Sequence, residues 1–170
     1  TTPWTIPANK ALAYNASLKY VLLEINDNKN FVNRKIVIAK DLLEPFKKDT
    51  SIENIKVLNE FLGKDLNGTI CSHPFSKMEY NYDIPMLEAN FVTTEQGTGI
   101  VHCAPSHGPD DFNLCLNNNI KAIETVDGDG KYTSEIKLFE GLHIFKANNL
   151  IIEKLDEQKN LVTNGKLTHS

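Results

Sequence analysis

The sequence predicts a mainly β fold of the α+β type, a closed or nearly closed β-barrel with a few peripheral α-helices. Strand-length runs rich in β-branched and aromatic residues recur along the chain, separated by clusters of Asn, Asp and Gly. Helical spacing of apolar residues is limited to short stretches. Many short strands joined by turns form the pattern by which sheets close on themselves. At 170 residues, 41% hydrophobic and 24% charged, the chain suits one ordered domain that buries a core without disulfides or metal.

Residues 1–9 hold three threonines and two prolines, which resist helix and predict an extended or turning segment. Residues 19–25 and 31–39 read as strands, and the polar cluster 26–30 between them predicts a hairpin turn. Residues 40–48 read as a short helix limited by Pro45. Thr50-Ser51-Ile52-Glu53 then resembles a capping box, and Ile52, Ile55, Leu58 and Leu62 recur at helical spacing up to Gly63, which predicts a second helix.

Residues 66–73 and 86–94 read as strands around an irregular loop, 75–85, whose Tyr80 and Tyr82 suit either stacking on a base or packing onto the core. Residues 111–118 predict a short helix with Phe112 and Leu116 facing inward. A strand is expected over 121–126. Asp127-Gly128-Asp129-Gly130 lacks the later ligands of a calcium loop and reads as a hairpin turn. Short apolar segments at 136–139 and 142–145 precede an amphipathic helix over 148–160, with Leu150, Ile151 and Leu155 on one face.

Chemistry-bearing residues concentrate between Gly97 and Phe112, in Gly-Thr-Gly-Ile-Val-His-Cys-Ala-Pro-Ser-His-Gly-Pro-Asp-Asp-Phe. Ile100-Val101 ends a strand, and Pro109-Asp110-Asp111 starts a helix with carboxylates over the positive end of its dipole. The strand delivers His102 and the helix delivers Asp111 to one loop, so both side chains can face one pocket. Read alone, Asp111 also fits a plain cap, and His102 a half-buried structural histidine. His102, Cys103 and His107 lack the paired spacing of zinc ligands, and no Cys-x-x-Cys occurs, so no metal is expected. Ser106, His107 and Asp110 have the letters of a hydrolytic triad without the Gly-x-Ser-x-Gly elbow.

Gly97-Thr98-Gly99-x-Val101-His102-x-Ala104-Pro105-x-His107-Gly108-x-Asp110-Asp111-Phe112 resembles the long motif of the editing domain of isoleucyl-tRNA synthetase. Thr1-Thr2-Pro3-Trp4-Thr5-Ile6-Pro7-Ala8-Asn9 resembles that domain's threonine-rich segment. Further likenesses follow at Leu66-x-Gly68, His73-Pro74-Phe75, residues 126–133, Gly141-Leu142 and Ala147-Asn148. His169-Ser170 resembles the start of the segment leading back to the catalytic domain. Residues 1–170 are therefore expected to form a single editing domain excised from a larger synthetase. The valyl and leucyl sisters typically read Thr-Thr-Arg-Pro in the first motif and Ala-His-Asp in the second. This chain has Thr-Thr-Pro-Trp-Thr and Ser106-His107-Gly108, which favours isoleucine.

The resemblance implies the barrel-like fold of these editing domains and a hydrolytic role. Valine differs from isoleucine by one methylene, worth only about 1–3 kcal/mol to a hydrophobic pocket, and a second sieve that hydrolyses the smaller product supplies the missing accuracy. By resemblance, Asp111 pairs with the substrate's α-ammonium and His102 limits pocket size. Thr1, Thr2 and Asn9 position the ester, ribose or attacking water, and Trp4 lines the pocket. The general base is left open, His102 included. A binding module for aminoacylated ends, without turnover, is the alternative.

No cofactor is expected in this domain, because ATP belongs to the parent enzyme's catalytic domain, whose nucleotide-binding signatures are absent here. Implied partners are the 3′-terminal adenosine of mischarged isoleucine tRNA, its valine moiety and the remainder of the synthetase. The net charge of −4 argues against a domain that grips nucleic acid by bulk electrostatics. Three cysteines without framework spacing suit reduced thiols and a cytoplasmic setting. No run reaches the length of a membrane span, and a monomer is expected.

Overall fold

The computed structural model describes residues 1–166; His169 and Ser170 lie outside them. A 3₁₀ segment, Pro3–Ala8, leads into β1 (Ala11–Tyr14), β2 (Lys19–Ile25) and β3 (Arg34–Ala39). After a 3₁₀ turn at Lys40–Leu42 come α1 (Leu43–Thr50), β4 (Ile55–Leu62) and a second 3₁₀ turn, Gly63–Leu66. Then follow β5 (Ile70–Ser72), β6 (Asp83–Glu88), β7 (Ile100–Cys103), α2 (Pro109–Asn117) and α3 (Ile144–Glu157).

The mainly β, α+β expectation holds, but the closed barrel does not. The strands form two sheets, one ordered β5-β6-β1-β7 and one ordered β3-β2-β4. In the first, β1 runs parallel to β6 and antiparallel to β7. At the seam the chain crosses on single bonds instead of a ladder: Ala39 N–H donates to Thr98 O at 2.8 Å and Lys64 N–H to Ala16 O at 3.1 Å. Gly99 has φ +76°, and a Cβ there would lie 2.4 Å from Ala39 Cβ. That turn is pressed against the end of β3, where pairing stops. The sheets share a core of Tyr14, Tyr20, Ala39, Leu42, Leu66 and Met86 without sharing hydrogen-bonded edges.

The helix expected after Thr50 is instead strand β4, paired antiparallel with β2 along its length. Ser51 adopts φ +58° and terminates α1, so the apparent capping box is a stop signal. A register irregularity opposite Leu22 and Leu23 leaves Leu58 unpaired as a bulge. β4 is an edge strand, and Val57, Leu58 and Leu62 are exposed. Their spacing therefore traced no buried helical face.

Other differences are smaller. Residues 121–126 form no strand; only Val126 bridges to Tyr132, across the expected hairpin turn. β1 was not foreseen. On α2 the inward residue is Cys115, while Phe112 and Leu116 face solvent. α3 begins before the expected start and buries Ala147, Ile151 and Leu155 against Phe75, Tyr80 and Tyr132. Cys71, Cys103 and Cys115 are free thiols. Among the described residues no helix is long and apolar enough to cross a membrane.

Candidate functional site

The threonine-rich segment owes its shape to proline and to distant side chains. Pro3 sits at the first turn, where its missing N–H leaves nothing unpaired. Thr2 O accepts both Thr5 N–H at 3.1 Å and the Thr5 hydroxyl at 2.9 Å. Trp4 is fixed at both backbone ends: its N–H donates to Asn148 Oδ1 at 2.9 Å, and Tyr132 Oη donates to its carbonyl at 2.5 Å. Its indole meets the His107 ring edge-on at 4.7 Å. Lys10 N–H, donating to Cys103 O at 2.9 Å, ties the segment's end to β7.

That tie brings His102 against the same segment. The Asn9 amide nitrogen donates to His102 Nδ1, which assigns the ring proton to Nε2. Nε2–H then donates to Thr5 Oγ1 at 3.1 Å, and Thr5 passes its own hydrogen to Thr2 O. Burial is the main cause holding His102 down to about 4, so the imidazole is neutral with both nitrogens engaged. It is therefore no free general base, and its ring is held in place from both sides. Asn9 is 5% exposed, and its Oδ1 is a buried acceptor without a partner among the described residues.

Asp111, in the first turn of α2, accepts the Ala104 N–H at Oδ2, 2.9 Å away. That bond joins the end of β7 to the start of α2. A Cβ on Gly108 would come within 3.3 Å of Asp111 Cγ, so glycine leaves the carboxylate room. Burial raises the Asp111 pKa, opposed by the Ala104 N–H. Among the described residues Oδ1 accepts no side-chain or backbone hydrogen bond from another residue, which leaves it for a cation. His107, the nearest cationic candidate, has its own pKa lowered by burial, and its Nε2 meets Thr125 Oγ1 at 2.9 Å.

The structure thus joins Asn9 and His102 directly and sets Trp4 beside the loop that carries Asp111. Thr1 and Thr2 lie exposed at the segment's start. Thr5 and the Ala104 amide were missed by sequence reading; the alternation of Thr2 and Thr5 about Pro3-Trp4 was the one available signal. A cavity of about 190 Å³ is walled by Ala8, Lys10, Tyr80, Tyr82 and Ile136 among others, but by none of the six residues expected to act. Tyr80 and Tyr82 spend their hydroxyls inward, on Lys137 O and Asn9 O.

Known proteins resemble this chain in both sequence and fold. Residues 20–162 match the family described as the leucyl-tRNA synthetase editing domain. The chain is 68% identical over its whole length to an isoleucine–tRNA ligase of Pelagibacter ubique, and spans 19% of that protein. It is 43% identical over 163 residues, 94% of the chain, to an isoleucine–tRNA ligase of Gluconobacter oxydans, of which it spans 17%.

Among solved structures, GlLeuRS-CP1 superimposes with a TM-score of 0.72 at 14% identity, over 98% of this chain and 81% of that one. The cytosolic leucyl-tRNA synthetase editing domain of P. falciparum does so with 0.69 at 13% identity, over 94% and 75%. The likeness in fold reaches across the leucyl type, while close sequence identity lies with the isoleucyl type. The chain belongs to the aminoacyl-tRNA synthetase editing-domain family, and it is an editing domain of the isoleucyl-tRNA synthetase kind.

Proposed function

We propose that this domain hydrolyses valine wrongly esterified to the 3′-terminal adenosine of isoleucine tRNA, with valyl-adenylate as a related substrate. The observation that carries the reading is the Asp111 carboxylate, oriented through Oδ2 by the Ala104 amide with Oδ1 open. A free aminoacyl ester presents an α-ammonium group, and an oriented carboxylate fixes it so that the ester carbonyl faces water. The Asn9–His102–Thr5 chain supplies a stiff wall of the kind needed to refuse isoleucine. In this reading Thr1, Thr2 and Trp4 contribute the remaining contacts to the substrate.

Water attacks directly in this reading, with no covalent intermediate. The engaged nitrogens of His102 leave general-base assistance to the substrate's own vicinal hydroxyl. The domain brings no cofactor or metal to the step, and ATP-dependent activation belongs to the remainder of a larger cytoplasmic synthetase, within which residues 1–170 act as one monomeric unit. Capture without turnover is the second reading, favoured by the same absence of a free base at His102. The test is release of valine from valyl-tRNA for isoleucine under excess protein. Turnover abolished by Asp111→Ala supports hydrolysis, and binding of the ester without release supports capture.

A further inference from the structure

The loop from His73 to Tyr82 carries none of the residues assigned to substrate, yet two of its side chains hold the segment that does. His73 is 1% exposed. Its Nε2 donates to Ile6 O at 3.1 Å, and its Nδ1 accepts Phe75 N–H at 3.0 Å. The ring lies stacked on Tyr80 at 4.5 Å, with Tyr82 and Phe75 at 5.6 and 5.7 Å. Ile6 O also receives Asn9 N–H at 3.0 Å. One carbonyl thus takes two donors, which pins the turn that aims the Asn9 side chain at His102. Tyr82 Oη closes the far side of that turn by donating to Asn9 O at 2.9 Å.

We propose that His73, assisted by Tyr82, is a positioning residue for the editing site: a buried imidazole whose single outward donor fixes the Ile6–Asn9 turn and, through it, the Asn9–His102 contact. An aromatic that merely filled the core would need neither nitrogen. His73 is paired at both, and Nε2, the one that reaches beyond its own loop, ends on the substrate-facing segment. The consequence for turnover rests on the hydrolytic reading above; the consequence for His102 does not.

His73→Phe keeps the ring, its volume and its stacking while deleting both hydrogen bonds, and His73→Gln restores a donor near Nε2. Nitrogen NMR of the wild-type chain is expected to report His102 as a single neutral tautomer with its proton on Nε2. In His73→Phe that signature gives way to tautomer averaging, and in His73→Gln it returns. Under excess protein the rate of valine release in His73→Phe falls about 10- to 100-fold with half-saturation little changed, as expected when a reacting group is displaced by a fraction of an ångström to an ångström. Phe46→Leu, in a core cluster apart from the site, serves as a destabilised control and moves neither readout.

An unchanged His102 signature in His73→Phe overturns the proposal whatever the rates do. A wild type with the signature but no valine release overturns the hydrolytic reading and leaves the His102 arm to decide this one. Should His73→Phe fail to fold, Tyr82→Phe, which removes one hydroxyl from the same turn, must shift the His102 signature the same way, and an unshifted one overturns the proposal.

Discussion

Asn9 and His102, 93 positions apart in the chain, meet amide to imidazole across the site. Because the Asn9 amide takes Nδ1 and Thr5 takes Nε2–H, the histidine cannot accept a proton without breaking that chain. In the proposed reading the side chain that looks most like a base is a wall, and Asp111 supplies the negative charge for the substrate.

Asp111→Asn keeps an acceptor for Ala104 N–H and removes the charge. Folding stability is expected to stay within about 1 kcal/mol of wild type, while valine release falls about 100-fold or more. Urea unfolding beside single-turnover release checks both. A variant that deacylates normally would show that the carboxylate is only a helix-start cap.

His102→Ala removes the wall. The enlarged pocket is expected to admit the isoleucyl ester, raising its hydrolysis by about 10-fold or more, the scale on which one methylene is discriminated. Hydrolysis of the valyl ester persists. Loss of both activities with isoleucine still refused would instead make His102 part of the chemistry.

Stability is expected to fall with acid. Burial holds His73 and His102 at about 4, below the usual value of about 6.5. Unfolded chains therefore take up protons on these groups first, so their contribution is complete above about pH 6.5 and is lost toward pH 4. For His73 alone this is on the order of 3 kcal/mol. Asp111, whose pKa is raised, acts the other way, because its burial penalty vanishes on protonation. Urea midpoints at about pH 7 and pH 4.5 measure the net; His73→Gln should flatten the profile.

Gly99→Ala attacks the seam between the sheets. At φ +76° the added methyl meets Ala39 Cβ at 2.4 Å, and a loss of about 2–3 kcal/mol is expected. Gly97→Ala, also at positive φ but with open space around it, carries only the backbone strain and should cost less. Equal losses at the two positions would mean that contact at the seam contributes nothing.

How much was legible in the sequence depended on how local each signal was. The strand-loop-helix that presents His102 and Asp111 was readable because Gly97, Gly99, Gly108 and Pro109 punctuate it within one stretch. The β2–β3 hairpin was readable because both runs are rich in β-branched and aromatic residues and a polar turn divides them. β4 misled because an edge strand keeps apolar residues such as Leu58 and Leu62 without burying them, so their spacing records no face. The open seam was invisible because it depends on Gly99 meeting Ala39, a contact between a turn and the end of a strand distant in sequence. The same holds within the site. The motifs name the candidate residues, but the tautomer of His102 and the hold of His73 on Ile6 are set by partners far away in sequence.

The central claim is selective hydrolysis of the smaller amino acid. The most direct measurement compares the single-turnover release of valine and of isoleucine from the same isoleucine tRNA by the wild-type chain. Valine released about 10-fold or more faster than isoleucine is the expected outcome. Equal rates for the two esters would contradict the account.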